Sequence, residues 1–252
     1  MRIVFEVFHP RRPPNLPKPQ SADPVPFSST ARALCVPFFV FILFIGLASL
    51  VQRLGRPEFL LAHPQYWVYP LQTVVCGALL VYWRRCYSLQ WPRKGAPWAF
   101  TLAIAVLVLV LWISPQEFFG VARRMDGFDP TAFPSGTPLY WGTLIFRFLR
   151  LAVVVPFLEE FFWRGFLLRY LISEDFEKVP VGAFSWLSFS AVTLCFALEH
   201  QWADFWPALI TGALYNFVAI RTRSLGLCVL AHAVTNLLLG VYIMKTGQWG
   251  FW

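Results

Sequence analysis

Several uninterrupted apolar stretches, each about 17–20 residues long, restrict this chain to helices that cross a lipid bilayer. A hydrocarbon layer about 30 Å thick takes about 20 residues of helix at 1.5 Å per residue. A membrane β-barrel would instead alternate apolar and polar positions, which these stretches do not do. Composition agrees: 58% of residues are hydrophobic and 13% charged, where a soluble domain has about a quarter charged. The class that follows is all-α, a polytopic membrane bundle of about seven or eight transmembrane helices.

The chain divides on the same criterion. Residues 1–30 hold seven prolines between Pro10 and Pro26, with Arg11, Arg12 and Lys18, and predict a disordered basic tail. Residues 31–115 contain three spans, near Leu34–Val51, Tyr66–Trp83 and Trp98–Ser114. Residues 116–138 mix Arg123, Arg124, Asp126 and Asp129 with Phe118, Phe119, Phe128 and Phe133, as an interfacial loop does. Residues 139–252 form the remaining unit. It comprises a long helix over Leu139–Ile172, kinked at Pro156, and spans near Ala183–Leu198, Ala208–Ile220 and Leu225–Met244.

The net charge of +8 reads as an orientation signal. Basic residues gather in the tail, at Arg84, Arg85, Arg93 and Lys94, and at Arg221 and Arg223, which puts the N-terminus in the cytoplasm. No basic run sits on a soluble domain, so nucleic acid is excluded as a partner. Five scattered cysteines without a CxxC spacing read as small buried hydrophobes.

Within the apolar interior, ionisable groups are costly and mark function. Glu159, Glu160 and Arg164 lie inside the long helix. Glu160 and Arg164, four residues apart with the acid first, share a face and form a supporting ion pair. Glu159 points about 100° away and stays free. Two further pairs have helical spacing, Phe196 with His200 and His232 with Asn236. A base, two imidazoles and an amide from separate helices can activate water and meet a developing oxyanion. Each has a bland reading too: an interior histidine is commonly just a satisfied core residue, and an intramembrane asparagine commonly bridges helices.

In order and spacing, Glu159-Glu160-x-x-x-Arg164, Phe196-x-x-x-His200 and His232-x-x-x-Asn236 resemble the three motifs of the CPBP family (CAAX prenyl protease and bacteriocin-processing, or Abi). The three N-terminal spans and the loop with Gly127-Phe128-Asp129-Pro130 are similar to its exosortase-associated bacterial branch. The resemblance implies an intramembrane glutamic endopeptidase without a cofactor, in a bacterial inner membrane. Glu159 with His200 would activate water, and His232 with Asn236 would stabilise the oxyanion. It implies the bilayer, a membrane-presented peptide or protein tail, and an exosortase-type sorting system as partners. Two rivals remain open. Glu159, His200 and His232 could ligate a divalent metal, or the chain could be a non-catalytic membrane partner or immunity protein.

Overall fold

The computed structural model describes residues 28–54 and 58–252, so the proline-rich stretch 1–27 lies outside the described residues. Among the described residues, seven helices of 14 or more residues follow one another: α1 Ser29–Arg53, α2 Gln65–Tyr82, α3 Gly95–Phe118, α4 Pro138–Tyr170, α5 Trp186–Glu199, α6 Phe205–Thr222 and α7 Leu225–Thr246. Local chemistry sets several starts. Ser28, Thr137, Ser185 and Ser224 each accept a hydrogen bond from a backbone N–H in the first turn of α1, α4, α5 and α7. A glycine in the left-handed region, Gly247, closes α7.

The bundle is that of an integral membrane protein. Among the described residues, five helical segments are long and apolar enough to cross a bilayer: α1, α3, α4, Trp202–Thr222 and α7. The other two are shorter or more polar than the sequence spans implied. In α2, Gln65, Tyr66, Tyr69 and Gln72 dilute the apolar run, and α5 has only 14 residues. Outward-facing side chains are strongly apolar, among them Leu43 at 71% exposure and Leu187 at 69%. Such surface belongs against lipid tails, since water would disfavour a patch of that extent.

α6 lies between α5 and α3, α7 packs on α3 and α4, and α1 packs on α2 and on the second half of α4. Phe38 of α1 stacks on Phe162 of α4 with ring centroids 4.1 Å apart. Gly212 lets α6 approach α5 closely: a Cβ there would meet the Thr193 carbonyl at 3.2 Å and the Phe196 side chain at 3.3 Å.

α4 carries the main irregularity. It widens into π-helical turns at Arg150–Val154 and again at Phe161–Leu167, on either side of the glutamates. Proline has no N–H, so Pro156 leaves a carbonyl upstream without its helical donor. With the five-residue bond of a π turn, that carbonyl is Leu151, and the Asn236 amide of α7 donates to it at 3.0 Å. The expected distortion at Pro156 therefore takes the form of a widened turn closed from a neighbouring helix.

The 119–137 loop packs across one end of the bundle. Phe128 is buried, Tyr66 Oη donates to the Asp129 carbonyl at 2.6 Å, and Arg124 forms a bidentate ion pair with Asp204. The C-terminal turn joins the same layer, with Gly250 N–H donating to the Arg124 carbonyl at 3.0 Å.

Candidate active site

The adjacent glutamates meet different fates. Glu160 is fully buried, and its Oε1 accepts from Arg164 Nη1 at 3.0 Å and from His232 Nδ1 at 3.0 Å. The remaining Arg164 donors are also used: Nε donates to Asn216 Oδ1 at 3.0 Å and Nη2 to the Gly212 carbonyl at 3.1 Å. Asn216 passes the chain on through Nδ2, to Thr193 Oγ1 at 3.1 Å and the Phe189 carbonyl at 3.3 Å. One buried network thus ties α4, α5, α6 and α7 together. Sequence spacing predicts the Glu160–Arg164 pair. It does not reveal that Glu160 also holds His232.

Glu159 lies outside that network. It is 6% exposed, its Oε2 has no hydrogen-bond partner, and it lines a cavity of about 290 Å³ together with His200, His232 and Asn236. The four polar residues picked out from the sequence therefore border one space. Glu199 lines it too, with its Oε2 likewise buried and unpartnered. Thr211 and Tyr215 of α6 contribute buried hydroxyls without partners to the same wall.

The shortness of α5 explains how His200 reaches this position. Fourteen residues rise about 21 Å, well short of the hydrocarbon thickness. The helix therefore stops short of a full crossing, His200 turns to an extended backbone, and His200, Gln201 and Asp204 of the turn that follows border the cavity. The His200 ring packs between Phe196 at 4.8 Å and Trp112 at 5.6 Å.

Hydrogen bonding fixes the imidazole tautomers. His200 Nδ1 lies 2.8 Å from the Phe196 carbonyl. A carbonyl only accepts, so Nδ1 carries the proton and Nε2 keeps the lone pair. The same reasoning applied to the Glu160 carboxylate puts a proton on His232 Nδ1. Asn236 gives one amide proton to Leu151 and has a second. Among the described residues, no three His, Cys, Asp or Glu side chains are grouped to hold a metal ion.

Glu199, Asn216, Arg147 and Arg150 are cavity and network residues for which sequence reading predicted no role. For Glu199 a signal was present, a carboxylate next to His200. The others declare themselves only through contacts across helices.

Residues 141–238 match the family described as type II CAAX prenyl endopeptidase Rce1-like. No curated protein and no solved structure matches the chain. The matched segment contains Glu159, Glu160, Arg164, His200, His232 and Asn236, so this part of the chain is similar to that family.

Proposed function

We propose that this membrane protein is an intramembrane endopeptidase that cuts a peptide bond of a membrane-presented peptide or protein tail, with water activated by Glu159 and His200. The observation that carries the reading is the contrast within the glutamate pair: Glu160 is consumed by Arg164 and His232, while Glu159 faces a cavity shared with His200 and Asn236.

In this mechanism the substrate carbonyl enters the cavity beside Glu159. A water between Glu159 and His200 Nε2 gives up a proton as its oxygen attacks the carbonyl carbon, both acceptors being free to take it. The resulting oxyanion is met by the second Asn236 proton and by His232, whose ring is held in place by the Glu160 carboxylate. The proton then moves to the departing amine. Thr211 and Tyr215 add donors to the wall the substrate lies against.

The distribution of Lys and Arg supports a cytoplasmic N-terminus, and the proposed membrane is a bacterial inner membrane. The cavity residues Gln201, Asp204 and Trp252 then belong to the periplasmic end. Nothing in the family match bears on an exosortase-type partner. Fusion reporters should read cytoplasmic at Met1 and periplasmic after Trp252; cytoplasmic signals at both ends would contradict the orientation.

The test of the reaction is cleavage of apolar peptides by the purified chain in proteoliposomes, with products identified by mass. Wild type should release a defined fragment and His200→Ala should lose on the order of 10²–10⁴-fold in rate. Equal cleavage by both would remove His200 from the mechanism.

A further inference from the structure

One carboxyl in the cavity has no part in the reaction described above. Glu199 lines the cavity with Glu159 and His200, and its Oε2 is buried without a hydrogen-bond partner. Consecutive residues on a helix point about 100° apart. Glu199 is the last residue of α5 and His200 has turned to extended backbone, so both side chains reach the same space. Among the described residues, neither Glu159 nor Glu199 has a cation within ion-pair distance. The charges that face them from the packed elements are committed elsewhere. Arg164 and His232 hold Glu160, Asp204 is held by Arg124, Arg150 gives Nε to Gln72, and Arg147 sits among aromatic rings. The indole N–H of Trp163 faces Glu199 without closing a hydrogen bond. Of all charges, the one that Glu159 feels most is that of Glu199.

Two carboxylates that face one enclosed space repel, and the arrangement relaxes by keeping one of them protonated. We propose that Glu159 and Glu199 share a single proton, and that Glu199 holds it and gives it to the departing amine; this rests on the peptidase reading of the same cavity. Amide cleavage requires such a donor, because the nitrogen leaves the tetrahedral intermediate only as it takes a proton. The other polar groups of the cavity do not begin with one to give. His200 Nε2 carries a lone pair, His232 and Asn236 are turned to the oxyanion, and a hydroxyl such as that of Tyr215 is a far weaker acid than a carboxyl. The protons balance. The water oxygen bonds to the carbonyl carbon, and the water proton passes to Glu159. The carbon–nitrogen bond then breaks as the Glu199 proton joins the nitrogen, leaving a carboxylic acid and an amine. Glu159 returns its proton to Glu199 through the water that refills the cavity, so the pair ends as it began.

The test uses the full-length protein in proteoliposomes and compares two leaving groups. One probe is an apolar peptide; the other is its acyl part as a para-nitrophenyl ester, whose phenolate departs without a proton. Glu199→Gln should slow peptide cleavage by on the order of 10²–10⁴-fold and leave ester cleavage, measured above spontaneous hydrolysis, nearly unchanged. Glu199→Asp, which keeps the acid, should recover part of the peptide rate. Equal loss on both probes, or loss on neither, overturns the proposal, since a packing or water-activating role slows both. Infrared spectra in light and heavy water read the proton itself and need no turnover. Wild type at neutral pH should show the C=O stretch of a buried neutral carboxyl. Glu199→Gln should remove it, because Glu159, freed of its neighbour, stays ionised as the base. A wild type without that stretch overturns the proposal even if the variant fails to fold, and so does a stretch that survives in folded Glu199→Gln. If wild type cuts no peptide yet the stretch behaves as stated, the proton-sharing pair stands and the peptidase reading falls.

Discussion

The two ends of α4 each bury arginine, and they bury it in opposite ways. At the downstream end, Arg164 spends its donors on Glu160, Asn216 and the Gly212 carbonyl. At the upstream end, Arg147 is enclosed by aromatic rings with two nitrogens unpartnered. The first arrangement is closed and locks helices together. The second is open to an incoming group. The glutamates repeat the contrast over a single residue: Glu160 is held through Oε1 by Arg164 and His232, while Glu159 faces the cavity. Burial alone does not separate a structural charge from a functional one. Whether neighbouring charges already hold it does.

Substitutions can break or sharpen that contrast. The largest effect is expected at Glu160→Gln, which leaves Arg164 buried without its counter-ion and costs about 3–5 kcal/mol. Melting in detergent should drop sharply, and His232 should lose its anchor along with the fold. Asn216→Leu removes the acceptor for Arg164 Nε and the donor to Thr193, at a cost of about 1.5–3 kcal/mol for a hydrogen bond to a charged group. Thr193→Val should cost less, about 1 kcal/mol, because only one neutral hydrogen bond is lost. Arg147→Met should behave differently: replacing an unpaired buried charge by an apolar side chain leaves stability unchanged or raises it by about 1–2 kcal/mol. A large destabilisation there would mean that Arg147 is as closed as Arg164.

How much of this was legible in sequence follows from the range of the interactions involved. The long apolar runs specify helices locally, so α4 was expected over Leu139–Ile172 and spans Pro138–Tyr170. The Glu160–Arg164 pair is also local, one helical turn long, and it too could be read directly. The meeting of Glu159, His200, His232 and Asn236 in one cavity needed more, because those residues come from three stretches of chain. Motif spacing pointed to it, and the 14-residue length of α5 brings His200 to the cavity. What sequence could not convey was where each buried charge finds its partner. Asn216 on Arg164, Glu160 on His232 and the aromatic cage of Arg147 are all contacts between helices. The widened turn at Arg150–Val154 was foreshadowed only by Pro156, and its closure by Asn236 depends on α7.

The most direct test of the central claim is the turnover of Glu159→Gln beside wild type in proteoliposomes, each with and without o-phenanthroline. The amide keeps the size of the side chain and removes the base. The account predicts a loss on the order of 10²–10⁴-fold in rate, a melting temperature close to wild type because Glu159 Oε2 has no partner to lose, and wild-type turnover indifferent to the chelator. Undiminished cleavage by Glu159→Gln would contradict the account outright. Wild-type activity abolished by chelation and restored by zinc would move Glu159 from base to metal ligand.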